Sequence, residues 1–325
     1  MKLHAEFKQD SIEDFSYILK GLKEFSSFVI GNSFLCFKFS EKYLFIFSSE
    51  KKSVEIFIKI SMNDLFYENF ILKSSYPNNE INILVYIYQI YDIFKNISKN
   101  TKITIDLFER NGICMLLFKH HCNVTDAWKM YECGIEIVNS SLNKFPDLKM
   151  NKYYLYINCK LKKCCKILNT YSKFYSDKVE LNFEVTKKKC DIIFFMESIT
   201  TRNITTLKNN YILKNMINKK RNYYNKKNNN NDDNNDNDDN DNNDNNAKNN
   251  DNTKNTHDLK KVIDIKILTK ALNILNECRN NKEDVGVFKI IIPYNKCWFT
   301  LKLGQFESSG NWKVLIIITD VNVNV

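Results

Sequence analysis

The sequence predicts an α+β protein of two similar domains, each built from antiparallel sheet and two helices. The first observation is an N-terminal unit in which an alternating strand pattern, Lys2–Phe7, precedes a helical spacing of apolar residues from Ile12 to Phe25. The second is that short alternating segments then follow as far as Ile60. The third is that the same order of strand, helix and strands recurs three more times in the 325 residues.

The N-terminal unit has its apolar helix positions at spacings of three and four, which places them on one face. These positions are Ile12, Phe15, Ile18, Leu19, Leu22 and Phe25. Turn-forming residues then separate four short segments of period two. The predicted strands are Phe28–Ile30, Phe34–Phe39, Tyr43–Phe47 and Val54–Ile60.

The other three units share this pattern but not its residues, so the chain is not a solenoid repeat. Their predicted helices are Ile87–Ile97, Lys160–Phe174 and Leu268–Arg279. Their predicted strands are Ile81–Val85, Ile103–Phe108, Ile113–Phe118, Tyr153–Ile157, Val179–Val185, Ile192–Met196, Lys261–Ile265, Val287–Ile292, Trp298–Leu303 and Val314–Thr319. The segment Ile204–Ile217 fits neither pattern clearly.

Two units on each side of a weakly patterned stretch define the domain organisation. We predict an N-terminal domain over residues 1–127, a connector over 128–150 and a C-terminal domain over 151–325. Within the C-terminal domain, an insert at about 218–257 contains an unbroken run of Asn and Asp at Asn228–Asn246. This composition cannot bury enough apolar surface to order itself, so we expect the insert to be disordered.

Composition favours a globular protein with an anionic partner. The hydrophobic content is 43%, and no apolar run is long enough to cross a bilayer. The formal net charge is +10, which favours nucleic acid as the partner, although the lysine excess also fits a bias in coding composition. The N-terminus has no signal-peptide pattern, so we expect an intracellular protein whose ten cysteines are reduced.

Signatures of catalysis are missing from the sequence. There is no glycine-rich phosphate loop and no nucleophile elbow, and the chain has only 7 Gly and 4 His. The spacing of His120, His121, Cys122 and Cys133 matches no usual zinc pattern, so surface positions are the better interpretation. We therefore predict a non-enzyme without cofactor or metal. The alternative, a metal-dependent nucleic-acid-processing enzyme, would need a carboxylate such as Asp64.

Lysines on the polar faces of the four predicted helices are the candidate functional residues. Each face alone is typical of a solvated helix, but four basic helices at equivalent places suit contact with phosphates independent of base sequence. The predicted DNA-facing residues are Lys20, Lys23, Lys95, Lys99, Lys160, Lys163, Lys166, Lys173, Lys270 and Arg279.

Several segments resemble a known family. The opening MKLHAEF, the stretch Asn63–Phe70, the Asn79-Glu80-Ile81 triplet, the ungapped segment Ile81–Leu107 and Ile263–Lys266 are similar to segments of the Hus-one-type subunit of the DNA-damage checkpoint clamp. With its repeated units and its helices basic on one face, the chain resembles this family of DNA sliding clamps over nearly its whole length outside the insert.

The resemblance implies a two-domain sliding-clamp fold and a non-catalytic subunit of the heterotrimeric nine-one-one ring. Rad-nine-like and Rad-one-like subunits would complete the ring by pairing edge strands, and a clamp loader would open it. The ring would encircle double-stranded DNA, with the basic helices lining the hole, and would recruit DNA-repair and damage-signalling proteins. The expected location is the nucleus, alone or with the cytoplasm, and no membrane is involved. The alternative is a homotrimeric replication clamp.

Overall fold

The fold is taken from a computed structural model of the chain. It describes residues 1–27, 34–48, 54–97, 101–122, 126–138, 154–171, 173, 177–185, 189–197, 202–212, 259–278, 287–293, 298–304 and 313–319. The predicted strand Phe28–Ile30 and the predicted insert lie outside these residues, as do the last twelve residues of the predicted connector, 139–150.

The N-terminal half contains ten strands and three helices among the described residues. The helices are α1 (Gln9–Phe25), the short α2 (Met62–Leu65) and α3 (Ile87–Lys95). The strands are β1 (Lys2–Glu6), β2 (Phe34–Phe39), β3 (Tyr43–Ser48), β4 (Val54–Ser61), β5 (Ile71–Lys73), β6 (Ile81–Tyr86), β7 (Ile103–Arg110), β8 (Ile113–Cys122), β9 (Ala127–Gly134) and β10 (Glu136–Ile137).

The C-terminal half repeats this order with two helices and eight strands in the described ranges. The helices are α4 (Leu161–Tyr171) and α5 (Ile265–Glu277). The strands are β11 (Tyr154–Lys160), β12 (Lys178–Val185), β13 (Lys189–Glu197), β14 (Arg202–Ile212), β15 (Leu259–Asp264), β16 (Val287–Pro293), β17 (Trp298–Gly304) and β18 (Lys313–Thr319).

Two sheets contain these strands, and every described strand pair is antiparallel. The smaller sheet has five strands in the order β5-β1-β7-β8-β9. The larger has thirteen in the order β10-β6-β2-β3-β4-β18-β17-β16-β11-β14-β13-β12-β15. The larger sheet passes from one half of the chain to the other where β4 pairs with β18, from Lys59 opposite Lys313 to Val54 opposite Ile318. These pairs confirm the predicted α+β fold with antiparallel sheets.

A single hydrophobic core lies between the sheets and the helices of both halves. Alternation along the strands supplies one side of it: Ile56, Ile58 and Ile60 of β4 are buried, whereas Glu55 and Lys59 between them are partly exposed. On the other side, α1 buries the predicted apolar stripe, including Phe15 and Leu22. The opposite, polar side of each long helix is therefore left on the surface.

The helices form one row across both halves. Helix α1 lies between α3 and α5, and α5 lies between α1 and α4, so the order is α3-α1-α5-α4. Within the larger sheet, a second and smaller apolar cluster lies on the face opposite to the helices. There Cys36, Phe47 and Phe57 are buried, and Val138 packs against them.

Two segments differ from what their sequence pattern indicates. The connector predicted over 128–150 begins as a strand, because Ala127–Gly134 pairs with β8 along its whole length and extends the smaller sheet. The described part of the ambiguous segment, residues 204–212, belongs to β14, which pairs with β13 from Arg202 to Tyr211.

Candidate nucleic-acid interface

The most basic part of the helix row is α4. Its sequence, LKKCCKILNTY, contains three lysines and no carboxylate. Leu161, Cys164 and Leu168 face the core, which leaves Lys162, Lys163 and Lys166 exposed. Lys160, at the end of β11, and Lys173, just beyond the helix, are exposed as well. The structure thus places all four predicted lysines of this region on the surface.

An open cleft of about 570 Å³ runs between α4 and α5. Six of its eight lining residues are lysines or asparagines, and none of the described residues that line it is a carboxylate. The lining residues are Lys162, Cys165, Lys166, Asn169, Thr170, Lys173, Asn273 and Asn276. Ammonium and amide N–H groups both donate hydrogen bonds, and without a competing carboxylate they suit the oxygens of a phosphate.

Sequence analysis predicted Lys166 and Lys173 in this cleft as DNA-facing residues and left out its other six lining residues. Lys162 belongs to it because residues 162, 166, 169 and 173 repeat at steps of three and four, which is a signal that the sequence contains. Asn273 and Asn276 come from α5, and only the packing of α5 beside α4 brings them to the lysines. Lys163 is exposed on α4 but does not line the cleft.

At the seam between α1 and α5, two of the predicted lysines form ion pairs. Lys20 Nζ of α1 lies 2.6 Å from Glu277 Oε2 of α5, and Lys270 Nζ of α5 lies 2.8 Å from Glu24 Oε2 of α1. The hydrogen bond from Lys270 lowers the pKa of Glu24, and the hydrogen bond to Glu277 raises the pKa of Lys20. Each of the two lysines therefore already pairs with a carboxylate of the other half.

The seam is also a site of close packing. Gly21 of α1 is buried against α5, where an added Cβ would lie 2.4 Å from Cys278 Sγ and 3.3 Å from the carbonyl oxygen of Ile274. Glycine is therefore required there for the approach of the two helices. The thiol of Cys278 is fully buried, and burial raises its pKa to about 12, so it packs as a neutral group.

The remaining predicted residues lie in the N-terminal half or outside the described residues. The ammonium of Lys23 lies 4.4 Å from the ring centre of Tyr91 and 5.5 Å from that of Tyr88. Lys95 is exposed at the end of α3. Lys99 and Arg279 are outside the described residues.

The charge of the helix row is consequently uneven. Helices α1 and α3 together contain five carboxylates and three lysines, whereas α4 and α5 contain five lysines and one carboxylate. Since the charged pairs at the seam also neutralise Lys20 and Lys270, the unpaired positive charge concentrates on α4. An anion approaching the row would meet an attractive field mainly in the C-terminal half.

Of the positions considered for a metal site, His120 on β8 and Cys133 on β9 are buried, so the expectation of surface positions was wrong for these two. The ring of His120 stacks on Tyr131 at 5.6 Å, and His121 Nε2 lies 3.1 Å from Asp126 Oδ1. Over the described ranges, no three His, Cys, Asp or Glu side chains are arranged to hold a metal ion. In the same ranges, each helix is too short or too polar to cross a bilayer.

The paired halves, the continuous sheet and the single row of helices together define a class of fold, the DNA sliding clamp. Comparison of structures agrees. The chain is similar to the proliferating cellular nuclear antigen of Entamoeba histolytica, with a TM-score of 0.60 and 10% identity over 98% of each chain. It is also similar to the proliferating cell nuclear antigen of Thermococcus kodakaraensis, with a TM-score of 0.59 and 10% identity over 98% of this chain and 99% of that one.

A third similar structure is the PCNA2–PCNA3 complex of Sulfolobus tokodaii, with a TM-score of 0.55 and 12% identity over 99% of each chain. No protein-family model matches the sequence, and no curated protein matches it either. At such low identity the structural neighbours show the fold alone. The chain thus has the sliding-clamp fold of proliferating cell nuclear antigen, as its sequence predicted.

Proposed function

We propose that the chain is a non-catalytic subunit of a ring that encircles duplex DNA. The observation that carries this proposal is the cleft of lysines and asparagines, with no carboxylate among its described lining residues, on the helix row of a sliding-clamp fold. In a closed ring the helix row would line the hole. Retention on DNA would come from closure of the ring, while the lysines would orient the duplex.

DNA would contact mainly the C-terminal half of each subunit. Lys162, Lys166 and Lys173 are exposed, and the described residues around their cleft include no carboxylate, whereas Lys20 and Lys270 form ion pairs at the seam. Lysine contacts to phosphate give binding without sequence preference, which suits a clamp that slides. The asparagine amides of α5 would add hydrogen bonds to phosphate oxygens, directly or through water.

The test is the full-length triple variant Lys162→Glu, Lys166→Glu and Lys173→Glu. We expect association with duplex DNA to weaken at least about tenfold at low salt. The slope of log K against log salt should fall by about one for each phosphate that the variant no longer neutralises. The matched control is Lys2→Glu, Lys42→Glu and Lys73→Glu, which changes the net charge equally at exposed positions outside the helix row.

Circular dichroism confirms that both variants fold before binding is measured by titration at several salt concentrations. If the cleft variant binds DNA as tightly as the control variant, the α4–α5 cleft does not face DNA. If both variants lose affinity for DNA equally, binding depends on net charge alone, and the claim that the α4–α5 cleft contacts DNA is refuted.

For the finer function, we propose the checkpoint role: a subunit of a heterotrimer with Rad-nine-like and Rad-one-like partners. This ring would be placed on DNA by a clamp loader in the nucleus and would recruit repair and signalling proteins. What supports it is the sequence resemblance around the N-terminal strand, Asn63–Phe70 and Asn79–Ile81. Co-purification from the native source, with identification of the partners, tests it. Recovery of the chain with copies of itself alone would contradict it.

A second candidate, the homotrimeric replication clamp, is favoured by a different observation. Two structures similar to this chain over 98% of its length are proliferating cell nuclear antigens. The native mass of the purified chain separates the candidates. A stable trimer of one chain favours the replication clamp, and a monomer that assembles only with two different partners favours the checkpoint clamp.

A further inference from the structure

Four aromatic rings follow one another across the surface where α1 ends and α3 begins. The ring centres of Phe34 and Tyr86 are 5.5 Å apart, and those of Tyr86 and Tyr88 are 5.4 Å apart. The ammonium of Lys23 then joins Tyr88 to Tyr91, since it lies 5.5 Å and 4.4 Å from their ring centres. We call Phe34, Tyr86, Tyr88 and Tyr91 the aromatic track.

The aromatic track passes from one face of the larger sheet to the other. Phe34 of β2 and Tyr86 of β6 lie directly opposite each other, at positions that alternate with core residues of both strands. They are therefore on the face opposite to the helices. Tyr88 and Tyr91 belong to α3 and contact Lys23 of α1, so they are part of the helix row. The track thus leads from the helix row around the end of the sheet.

The rings of the track are accessible from outside the chain. Phe34 is 42% exposed and Tyr86 is 36% exposed, while Tyr88 and Tyr91 are half-buried. Single exposed apolar residues are ordinary on a protein surface, but a contiguous group of them usually marks a binding site. The contacts from ring to ring make this group contiguous.

The surrounding charge identifies the kind of ligand. Helices α1 and α3 contain five carboxylates and three lysines, so this end of the row does not favour the dense phosphates of a duplex. Two of those lysines are at the track: Lys23 contacts Tyr88 and Tyr91, and the exposed Lys95 is one helical turn beyond Tyr91. Aromatic rings with a few cations beside them suit unpaired bases, whose flat faces stack on the rings while the cations contact phosphates. A duplex hides those base faces, so the track selects a single strand.

We propose that the aromatic track binds single-stranded DNA through stacking of unpaired bases on its rings. The inference rests on the proposed clamp function for the source of the strand, because a duplex along the helix row would end beside the track. An unpaired strand that leaves this duplex would turn around the end of the sheet along Tyr88, Tyr86 and Phe34. The α4–α5 cleft would then hold duplex DNA, and the track of the N-terminal half would hold the single strand.

The experiment compares two fluorescent strands that differ only in their bases. One is an oligothymidylate of about 15 nucleotides, and the other is an abasic strand of the same length and charge. Fluorescence anisotropy measures the binding of each to the full chain and to the double variant Phe34→Ala with Tyr86→Ala. The parent chain should bind the strand with bases at least about tenfold more tightly than the abasic strand, because each stacked base adds affinity. The double variant should lose this preference and bind the abasic strand as the parent does.

Three control variants separate stacking from other effects of the substitutions. Phe34→Leu with Tyr86→Leu keeps apolar side chains but removes the rings, so it should also lose the preference for bases. Tyr86→Phe keeps the ring and should retain the preference. Tyr67→Ala removes a tyrosine outside the track that is similarly exposed, at 41%, and should change nothing. Circular dichroism confirms that each variant is folded before binding is measured.

A parent chain that binds both strands equally overturns the inference and leaves the track as a surface for a protein partner. A leucine variant that keeps the preference for bases also overturns it, since the contact would then be apolar but not stacked. If the parent shows no such preference while the triple cleft variant loses duplex DNA, the inference fails and the clamp function stands. If the track variant loses the preference while the cleft variant binds duplex DNA as its control does, the clamp function fails and the track stands.

Discussion

The packing of α1 against α5 predicts that Gly21→Ala lowers the unfolding free energy of the chain, but no longer does so once the Cys278 sulfur is removed. In Gly21→Ala, the new Cβ would lie 2.4 Å from Cys278 Sγ, whereas ordinary contacts are 3.4–4 Å. The helices must therefore separate by about an ångström or strain a buried side chain, and overpacking of this kind costs about 1–3 kcal/mol. Replacing a helical glycine by alanine gains about 1 kcal/mol in helix propensity. The net expected loss of unfolding free energy is therefore up to about 2 kcal/mol.

Removing the sulfur should reverse that result. Cys278→Ala alone should cost roughly 1 kcal/mol, because it leaves a small cavity in the seam. In that background the collision at Gly21 disappears, and only the Ile274 carbonyl oxygen, at 3.3 Å, remains close. Gly21→Ala should then be neutral or stabilising by up to about 1 kcal/mol. The coupling energy of the two changes should be about 2 kcal/mol, which is typical of residues in direct contact.

Urea unfolding followed by circular dichroism, at one fixed protein concentration, measures the four variants of this cycle. Gly134→Ala is the control, since an added Cβ there meets no atom within 4 Å and should change stability by less than about 0.5 kcal/mol. If Gly21→Ala destabilises the chain equally with and without the Cys278 sulfur, the two helices do not meet at these residues, and the packing of the seam is wrong.

Three further predictions concern other contacts. Tyr171→Phe should lower the unfolding free energy by about 1–2 kcal/mol in urea titrations, because the buried hydroxyl donates to the Phe194 carbonyl at 3.1 Å; an unchanged free energy would contradict that bond. Glu24→Gln should cost up to about 1 kcal/mol at pH 7, since the pair with Lys270 is partly exposed. Because the hydrogen bond from Lys270 lowers the pKa of Glu24, the destabilisation by Glu24→Gln should disappear as the pH falls below 4.5 and then below the lowered pKa. A destabilisation that stays constant across that range would refute the ion pair. Deleting residues 223–255 should leave the melting temperature nearly unchanged, and a drop of several degrees would show that the insert packs.

Much of the secondary structure is determined locally, which is why the sequence predicts it. Strand β2 forms at the predicted residues, and α1 and β4 extend the predicted segments by only a few residues. Their patterns are strong because one face of each element is buried in the core, and burial on one face leaves a period in the sequence. The fourfold recurrence of strand, helix and strands was therefore enough to predict the fold class.

Strands β9 and β14 were predicted less well, for a physical reason. β9 ends the smaller sheet, and both strands contain exposed apolar residues such as Met130 and Ile204. Their alternation of apolar and polar residues is correspondingly weak. Among the described side chains of β9 and β14, only Cys133 and Leu207 are buried, so neither strand shows the regular pattern of a half-buried strand.

The sequence by itself determined which side of each long helix faces the core and which lysines lie on the other side. Only the tertiary structure decided what those lysines meet: Lys20 and Lys270 face carboxylates across the seam, while Lys162, Lys166 and Lys173 line a cleft with asparagines of α5. The reason is that the spacing of apolar residues in a helix or strand reflects only which side of that element is buried. The neighbour across a helix contact can be more than two hundred residues away, as Glu24 is from Lys270, and no local spacing encodes it.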